Sequence, residues 1–157
     1  MPIEERASSK IRSVIADIKA HGYSSVSPFS IGKVEKEMKE YAKNNGIILG
    51  SDEIVMSVKQ ITHTLRETKE ATGKSVGGKD LAEFPTRRAG MELYHDNSNG
   101  NFVYFDRSRN EKFVIHPNYK MKIKIGKKKE THQKVNYITA SRTNAQEFTL
   151  AKFIKIK

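Results

Sequence analysis

Hydrophobic residues in the first half of the chain recur every three or four positions, which is the period of an α-helix. In the third such segment Ile54, Val58, Ile61 and Leu65 fall on one side of the predicted helix. Ser51 precedes this segment and is followed by two acidic residues, which predicts that it caps the first turn. The predicted helices span residues 4–20, 30–45 (beginning at Ser30) and 51–71, with a single turn at 79–84 before Pro85.

After Gly90 the spacing of hydrophobic residues changes from the helical period to alternation, which is typical of half-buried strands. The turn-forming residues at 97–100 predict a hairpin between two of these strands. Helices followed by such strands indicate an α+β fold, in which N-terminal helices pack on a C-terminal antiparallel sheet of four to six strands. The predicted strands span residues 91–96, 101–107, 112–116, 119–125, 134–140 and 148–157.

The positive charge of the chain is concentrated in its last quarter. The net charge is +11, and residues 119–157 contain eleven lysines or arginines against two glutamates. A field of one sign on one part of a surface favours an anionic partner, with nucleic acid first and an acidic membrane second. The alternative is that the lysines only protect exposed sheet edges from pairing with other chains.

Composition excludes several classes of site and protein. The chain of 157 residues has no cysteine, which excludes disulfides and thiolate-bound zinc or iron–sulfur clusters. No apolar segment approaches the roughly 20 residues of a membrane helix, and the first residues do not resemble a signal peptide. We therefore expect no membrane partner and no cofactor.

The third predicted helix places Lys59, His63 and Arg66 on one stripe, away from its apolar side. On one interpretation these are charged residues facing solvent. On the other they serve RNA cleavage, in which the ribose 2′-hydroxyl attacks the adjacent phosphorus. His63 can then transfer a proton near neutral pH, while Arg66 and Lys59 stabilise the negative phosphate oxygens without a metal ion.

The strand after residue 134 offers a second set of candidate residues. Alternation places Tyr137, Thr139 and Ser141 on one face, where the two hydroxyls can bond phosphate and Tyr137 can stack on a base or relay a proton. The alternative is an ordinary half-buried strand, since threonine and tyrosine favour strands anyway. The candidate catalytic residues are His63, Arg66 and Thr139, and the candidate substrate-binding residues are Lys59, Tyr137, Ser141, Arg142, Lys122 and Lys124. A second proton-transfer group is open among His95, His116 and His132, because the spacing selects none of them.

The order of these segments resembles a known nuclease superfamily. The run ITHTLR at 61–66 looks like a His-x-x-Arg helix, and it precedes LAEFP at 81–85 and a basic, strand-rich tail that includes YIT at 137–139. The run FSIGK at 29–33 is similar to the lead-in of such domains. This succession resembles the phage and polymorphic-toxin members of the barnase, EndoU, colicin and RelE-like (BECR) superfamily, over about residues 27–157.

The resemblance implies a metal-independent endoribonuclease, often a tRNA-cleaving toxin module at the C-terminus of a larger phage or secreted protein. Such a module acts in the bacterial cytoplasm and is neutralised by a dedicated immunity protein. His63 and Arg66 correspond to the helix-borne catalytic pair, and Thr139 to the strand hydroxyl near the phosphate. Residues 1–26 would then be a helical appendage or linker, and residues 27–157 the nuclease domain.

Two other classes of function stay open on the sequence. One is a non-catalytic nucleic-acid-binding module, for which the basic strands supply salt-dependent affinity. The other is a structural or adaptor protein of a phage-like particle, in which lysines serve solubility and edge protection.

Overall fold

The computed structural model describes residues 2–70, 77–125 and 129–157, with side chains described except at 66–70 and 123–132. The α+β class is confirmed, since the described residues form four α-helices and a seven-stranded sheet. The helices are α1 Ile3–His21, α2 Lys36–Asn44, α3 Val58–Glu70 and α4 Gly78–Arg87. The strands are β1 Phe29–Lys33, β2 Glu53–Met56, β3 Glu92–Asp96, β4 Phe102–Asp106, β5 Glu111–Ile125, β6 Lys129–Arg142 and β7 Phe153–Lys155.

The sheet contains more strands than the sequence pattern predicts, and one pair is parallel. Its strand order is β1-β2-β6-β5-β4-β3-β7, with the long β5–β6 hairpin near the centre. All neighbours are antiparallel except β2 and β6, whose register aligns Ile54 with Asn136 and Val55 with Tyr137. Because β2 leads directly into α3, this parallel pair fixes where α3 begins relative to β6.

The second and third predicted helices begin too early. The segment from Ser30 belongs to β1, where Gly32 has φ 139° at a bulge opposite β2, a backbone conformation that a helix does not contain. The third helix is not capped by Ser51. It begins after Ser57, whose Oγ accepts the Gln60 N–H at 3.2 Å. Ile54 is buried as predicted, but it belongs to strand β2 and not to a helix. The predicted helix end near residue 71 lies outside the described residues.

Three later boundaries also differ from the predictions. The expected turn before Pro85 is the ten-residue helix α4, which includes that proline. Pro117 and Asn118 form a bulge within one continuous strand, so β5 does not break there. The last predicted strand is a short 3-10 helix at Ala145–Thr149 followed by the three residues of β7.

The main hydrophobic core lies between the helices and one face of the sheet. Ile11 and Val14 of α1 are fully buried in this core together with Phe84 of α4 and Ile138 of β6. The predicted division at residues 26 and 27 therefore does not separate α1 from the core. A smaller apolar cluster, which includes Phe148, covers the opposite face of β3 and β4.

Glu111, the first residue of β5, is a buried acid next to other acids. It is 1% exposed, and Asp80 and Asp106 lie beside it, while Arg109 binds Asp80 at 2.6 Å and Glu83 at 3.0 Å. Burial and the adjacent Asp80 carboxylate raise the pKa of Glu111 from 4.5 to about 8. The folded protein consequently retains a proton that the unfolded chain releases.

We expect Glu111→Gln to make the unfolding free energy less dependent on pH. In the native protein the stability from the protonated carboxyl is complete below about pH 4.5 and is lost as pH rises toward about 8. Relative to that of the native protein, the unfolding free energy of the variant should increase across this window by on the order of 1–3 kcal/mol. Urea unfolding at several pH values measures this, with the exposed Glu40→Gln as control. If the difference in unfolding free energy between the variant and the native protein stayed constant across this window, the raised pKa of Glu111 would be contradicted.

In the described part of the chain, no helix combines the length and the apolar character that crossing a bilayer requires.

Candidate active site

A cleft of about 580 Å³ lies between the first half of α3 and the β5–β6 hairpin. It has this position because β2 pairs with β6 at Val55 and Tyr137, and the chain then turns directly into α3. One wall is therefore helical and carries a cation and an imidazole, and the other is a strand pair that carries two phenols. The lining residues are Lys59, Gln60, Thr62, His63, Tyr119 and Tyr137.

The helical wall is held in place by the packing of α3 on the core and by the cap at its first turn. Ile61 is fully buried in the core, so the opposite side of the helix, with Lys59 and His63, faces the cleft. The Ser57 hydroxyl caps the helix and lies 2.9 Å from the Tyr137 hydroxyl, which joins the start of α3 to the strand wall. His63 itself is exposed and has its own interactions.

The strand wall depends on the bulge at Pro117 and Asn118. Asn118 has φ 55°, and the four residues of β5 from His116 to Tyr119 lie opposite only three residues of β6. The extra residue places both His116 and Tyr119 on the face of Tyr137, although an odd spacing would otherwise put them on opposite faces. The Tyr119 and Tyr137 rings are stacked with centroids 4.9 Å apart. Burial raises the pKa of Tyr137, so its hydroxyl keeps its proton at neutral pH.

His116 and Thr139 form a hydrogen-bonded pair beside this wall. The His116 Nε2 lies 3.0 Å from the Thr139 Oγ1, and the His116 ring centroid lies 6.5 Å from that of Tyr137. Burial lowers the pKa of His116, which keeps the imidazole neutral at pH 7. A neutral imidazole next to a hydroxyl is suited to accept a proton.

The structure distinguishes the histidines that the spacing left equivalent. His95 is buried between the rings of Tyr41 and Phe102, with centroid distances of 5.0 and 5.1 Å. It therefore belongs to the core. Of the two histidines whose side chains are described, His116 is the candidate near the cleft, and the side chain of His132 lies outside the described residues.

The structure brings together only part of the predicted site. Lys59, His63 and Tyr137 share the cleft, and Thr139 lies two residues further along the face of Tyr137. Ser141 and Arg142 lie farther along β6, four and five residues from Tyr137, or roughly 13–17 Å. These two residues are therefore not part of the cleft lining, and their role in binding substrate stays a prediction.

Of the two predicted lysines of β5, Lys122 lies outside the described lining of the cleft. Lys122 is exposed, and strand alternation places it on the face opposite Tyr119. The side chains of Arg66 and Lys124 lie outside the described residues, although Arg66 is one helical turn after His63.

Several residues of the site are not predicted by the sequence pattern. Tyr119, Gln60 and Thr62 line the cleft, and Ser57 joins its two walls. The sequence does contain a signal for His116 and Tyr119, since they flank the Pro117-Asn118 pair that forms the bulge. No signal points to Ser57, because the hydrophobic spacing predicts one helix over residues 51–71.

Taken together, the cleft offers a lysine cation, an exposed imidazole and two phenols, with a second, neutral imidazole nearby. Among the side chains that the structure describes, no three of histidine, aspartate or glutamate are grouped so that they could hold a metal ion. In comparisons with known proteins, no family model, no curated protein and no solved structure matches this chain.

Proposed function

We propose that this chain is a metal-independent endoribonuclease whose active site is the cleft between α3 and the β5–β6 hairpin. The observation that carries the proposal is the shared cleft: Lys59 and His63 on one wall face Tyr119 and Tyr137 on the other. The proposal extends to the BECR-like superfamily that the sequence resembles. In that role the chain is a toxin that acts on tRNA or other structured RNA in the bacterial cytoplasm and is neutralised by an immunity protein.

The proposed reaction is the attack of a ribose 2′-oxygen on the adjacent phosphorus. His116, neutral because it is half-buried, takes the 2′-hydroxyl proton, and Thr139 orients its ring. His63 gives a proton to the leaving 5′-oxygen, so that a 2′,3′-cyclic phosphate and a 5′-hydroxyl are formed. Lys59 stabilises the negative charge on the non-bridging oxygens. Arg66, one turn further along α3, would add to the stabilisation of this negative charge.

In this proposal Tyr119 and Tyr137 bind a nucleotide and do not transfer a proton. Tyr119 is 45% exposed and stacks on Tyr137, so its free face can receive a base. Base stacking is sequence-tolerant, because every base has a π-face. This arrangement suits an unpaired nucleotide next to the phosphate to be cut.

We expect the purified protein to cleave transfer RNA or total RNA in excess EDTA, because every proposed role belongs to a side chain. Gel electrophoresis of the RNA over time measures this. Cleavage that EDTA abolishes would contradict metal independence. RNA that stays intact would contradict the nuclease itself.

A binding module without catalysis is the second candidate, and the position of Lys122 favours it. Because Lys122 lies opposite the tyrosine face, the basic surface and the cleft are separate parts of the hairpin. Such a module would bind RNA with strong salt dependence and leave it intact, and His63→Ala would not change the affinity.

A further inference from the structure

The outer part of the β5–β6 hairpin extends beyond the strands that flank it. Strand β4 pairs with β5 only as far as Ile115, and β2 pairs with β6 only at Asn136 and Tyr137. Residues 119–125 and 129–135, which we call the basic ribbon, therefore pair only with each other among the described strands. A two-stranded ribbon alone is marginally stable in water, so this projection calls for a physical reason.

The basic ribbon has two chemically different faces. Tyr119, Met121 and Val135 lie on the cleft face, where Met121 is 8% and Val135 3% exposed. On the other face Lys120, Lys122 and Lys134 are all exposed, and Lys120 lies directly opposite Lys134. We call this second surface the lysine face.

The pairing on the lysine face is unfavourable in the free protein. Like charges directly opposite each other destabilise an antiparallel pair, and a bound polyanion relieves this repulsion. Edge protection alone does not require two facing lysines, since one charge on an edge strand is sufficient. The facing lysines therefore favour an anionic partner with closely spaced charges.

The residues of the lysine face also indicate which form of RNA it binds. Its described side chains are those of Lys120, Lys122 and Lys134, and none of them is a Phe, Tyr or Trp ring that could stack on a base. Surfaces that bind single strands rely on such stacking, whereas double-stranded RNA is recognised through its backbone and shape. Lysines on one strand repeat every two residues, roughly 7 Å, so each can meet a different phosphate.

We propose that the lysine face binds the phosphate backbone of an RNA stem, while an unpaired segment that leaves the stem enters the cleft. The outer edge of β5 beyond Tyr119 faces no described strand, so the RNA can cross from one face to the other there. The entry of the unpaired segment rests on the proposed function. The binding of the stem does not.

The test compares two triple variants that remove the same charge. The ribbon variant is Lys120→Gln, Lys122→Gln and Lys134→Gln, and the control is Lys19→Gln, Lys36→Gln and Lys43→Gln on exposed helical positions. Affinity is measured for a blunt RNA duplex of about 20 base pairs, which exceeds the span of a typical duplex-binding domain. A uridine oligonucleotide provides the single-stranded comparison, and thermal unfolding checks that each variant folds.

We expect the ribbon variant to bind the duplex about ten- to a hundredfold more weakly than the native protein. Its slope of log affinity against log salt should be smaller by about two to three, since each lysine that no longer neutralises a phosphate lowers the slope by about one. The control variant should change duplex affinity by less than about threefold, because its lysines are elsewhere. Affinity for the uridine oligonucleotide should be retained by both variants.

Equal losses of affinity in the two triple variants would overturn the proposal, because net charge alone would then explain binding. An equal loss for duplex and single strand would overturn it too, as would unchanged duplex binding with weakened binding to phosphatidylserine vesicles. If the native protein cuts no RNA but only the ribbon variant fails to bind the duplex, the proposed function fails, and the binding of the RNA stem by the lysine face stands.

Discussion

Replacing His63 with alanine should lower kcat/KM for RNA cleavage by roughly two to four orders of magnitude, the usual effect of losing an acid–base group. The proposed leaving 5′-oxygen would then depart without a proton from the enzyme. His63 is exposed on α3 and Ile61 anchors the helix from the core, so the variant should fold. Initial rates with tRNA in EDTA, together with the midpoint of thermal unfolding, provide the measurement.

The matched control is His21→Ala, which removes an exposed imidazole from the end of α1. Because His21 contacts Tyr23, at 6.4 Å between ring centroids, and is not among the residues that line the cleft, cleavage should stay within about twofold of native. Native activity in the His63 variant, or equal losses in both, would remove His63 from the mechanism.

The second large effect is expected at Asn136, whose side chain ties the loop before β2 to β6. Asn136 is fully buried; its Oδ1 accepts the Gly50 N–H at 2.8 Å, and its Nδ2 donates to the Ser51 and Glu53 carbonyls at 2.8 and 2.9 Å. Asn136→Asp keeps the shape but turns the double donor into an oxygen that faces two carbonyl oxygens. We expect a loss of about 2–4 kcal/mol in unfolding free energy, since a buried polar group loses its partners.

The control for this substitution is Asn45→Asp. Asn45 also donates its Nδ2 to a backbone carbonyl, that of Tyr41 at 2.8 Å, but it is exposed to solvent. Water can replace the missing hydrogen bond there, so we expect less than about 1 kcal/mol of destabilisation. Urea unfolding at fixed pH measures both variants. A similar, small loss of stability in the two would mean that Asn136 does not determine the position of the loop.

The helix α1 could be predicted from the sequence, whereas β2 could not. Four isoleucines and valines recur at helical spacing between residues 11 and 18, and Gly22 follows them. The helix predicted over residues 4–20 therefore agrees with α1 within one residue at each end. In β2, Ile54 continues the helical spacing of Val58 and Ile61 in α3, so this spacing does not separate strand from helix. The deciding contacts are made by β6, more than 80 residues away in the chain, including the bonds of Asn136 to the loop before β2.

The candidate site could likewise be predicted only in part: its helical wall could, and its strand wall could not. The helical face of Lys59 and His63 follows from Ile61 and Leu65, which must face the core on any α3 of this sequence. The strand wall required the register of β5 against β6, which depends on one extra residue at the bulge. Alternation counted without that residue places Tyr119 away from His116, so the local pattern does not predict the aromatic part of the cleft.

The bulge also explains why the basic charge and the cleft do not coincide. It shifts Tyr119 onto the cleft face and thereby places Lys120 and Lys122 on the opposite one. The sequence alone predicts a single basic site that contains both His63 and Lys122. The structure instead separates a compact cleft from a lysine-rich surface on the other side of the same hairpin.

The most direct test of the central claim is to identify the ends of the cleaved RNA by mass spectrometry, with excess EDTA present throughout. We predict products with 2′,3′-cyclic phosphate and 5′-hydroxyl ends, and no cleavage where the nucleotide before the cut carries a 2′-deoxyribose. Products with 5′-phosphate ends, or cleavage that continues at the deoxyribose, would contradict attack by the 2′-oxygen in this cleft.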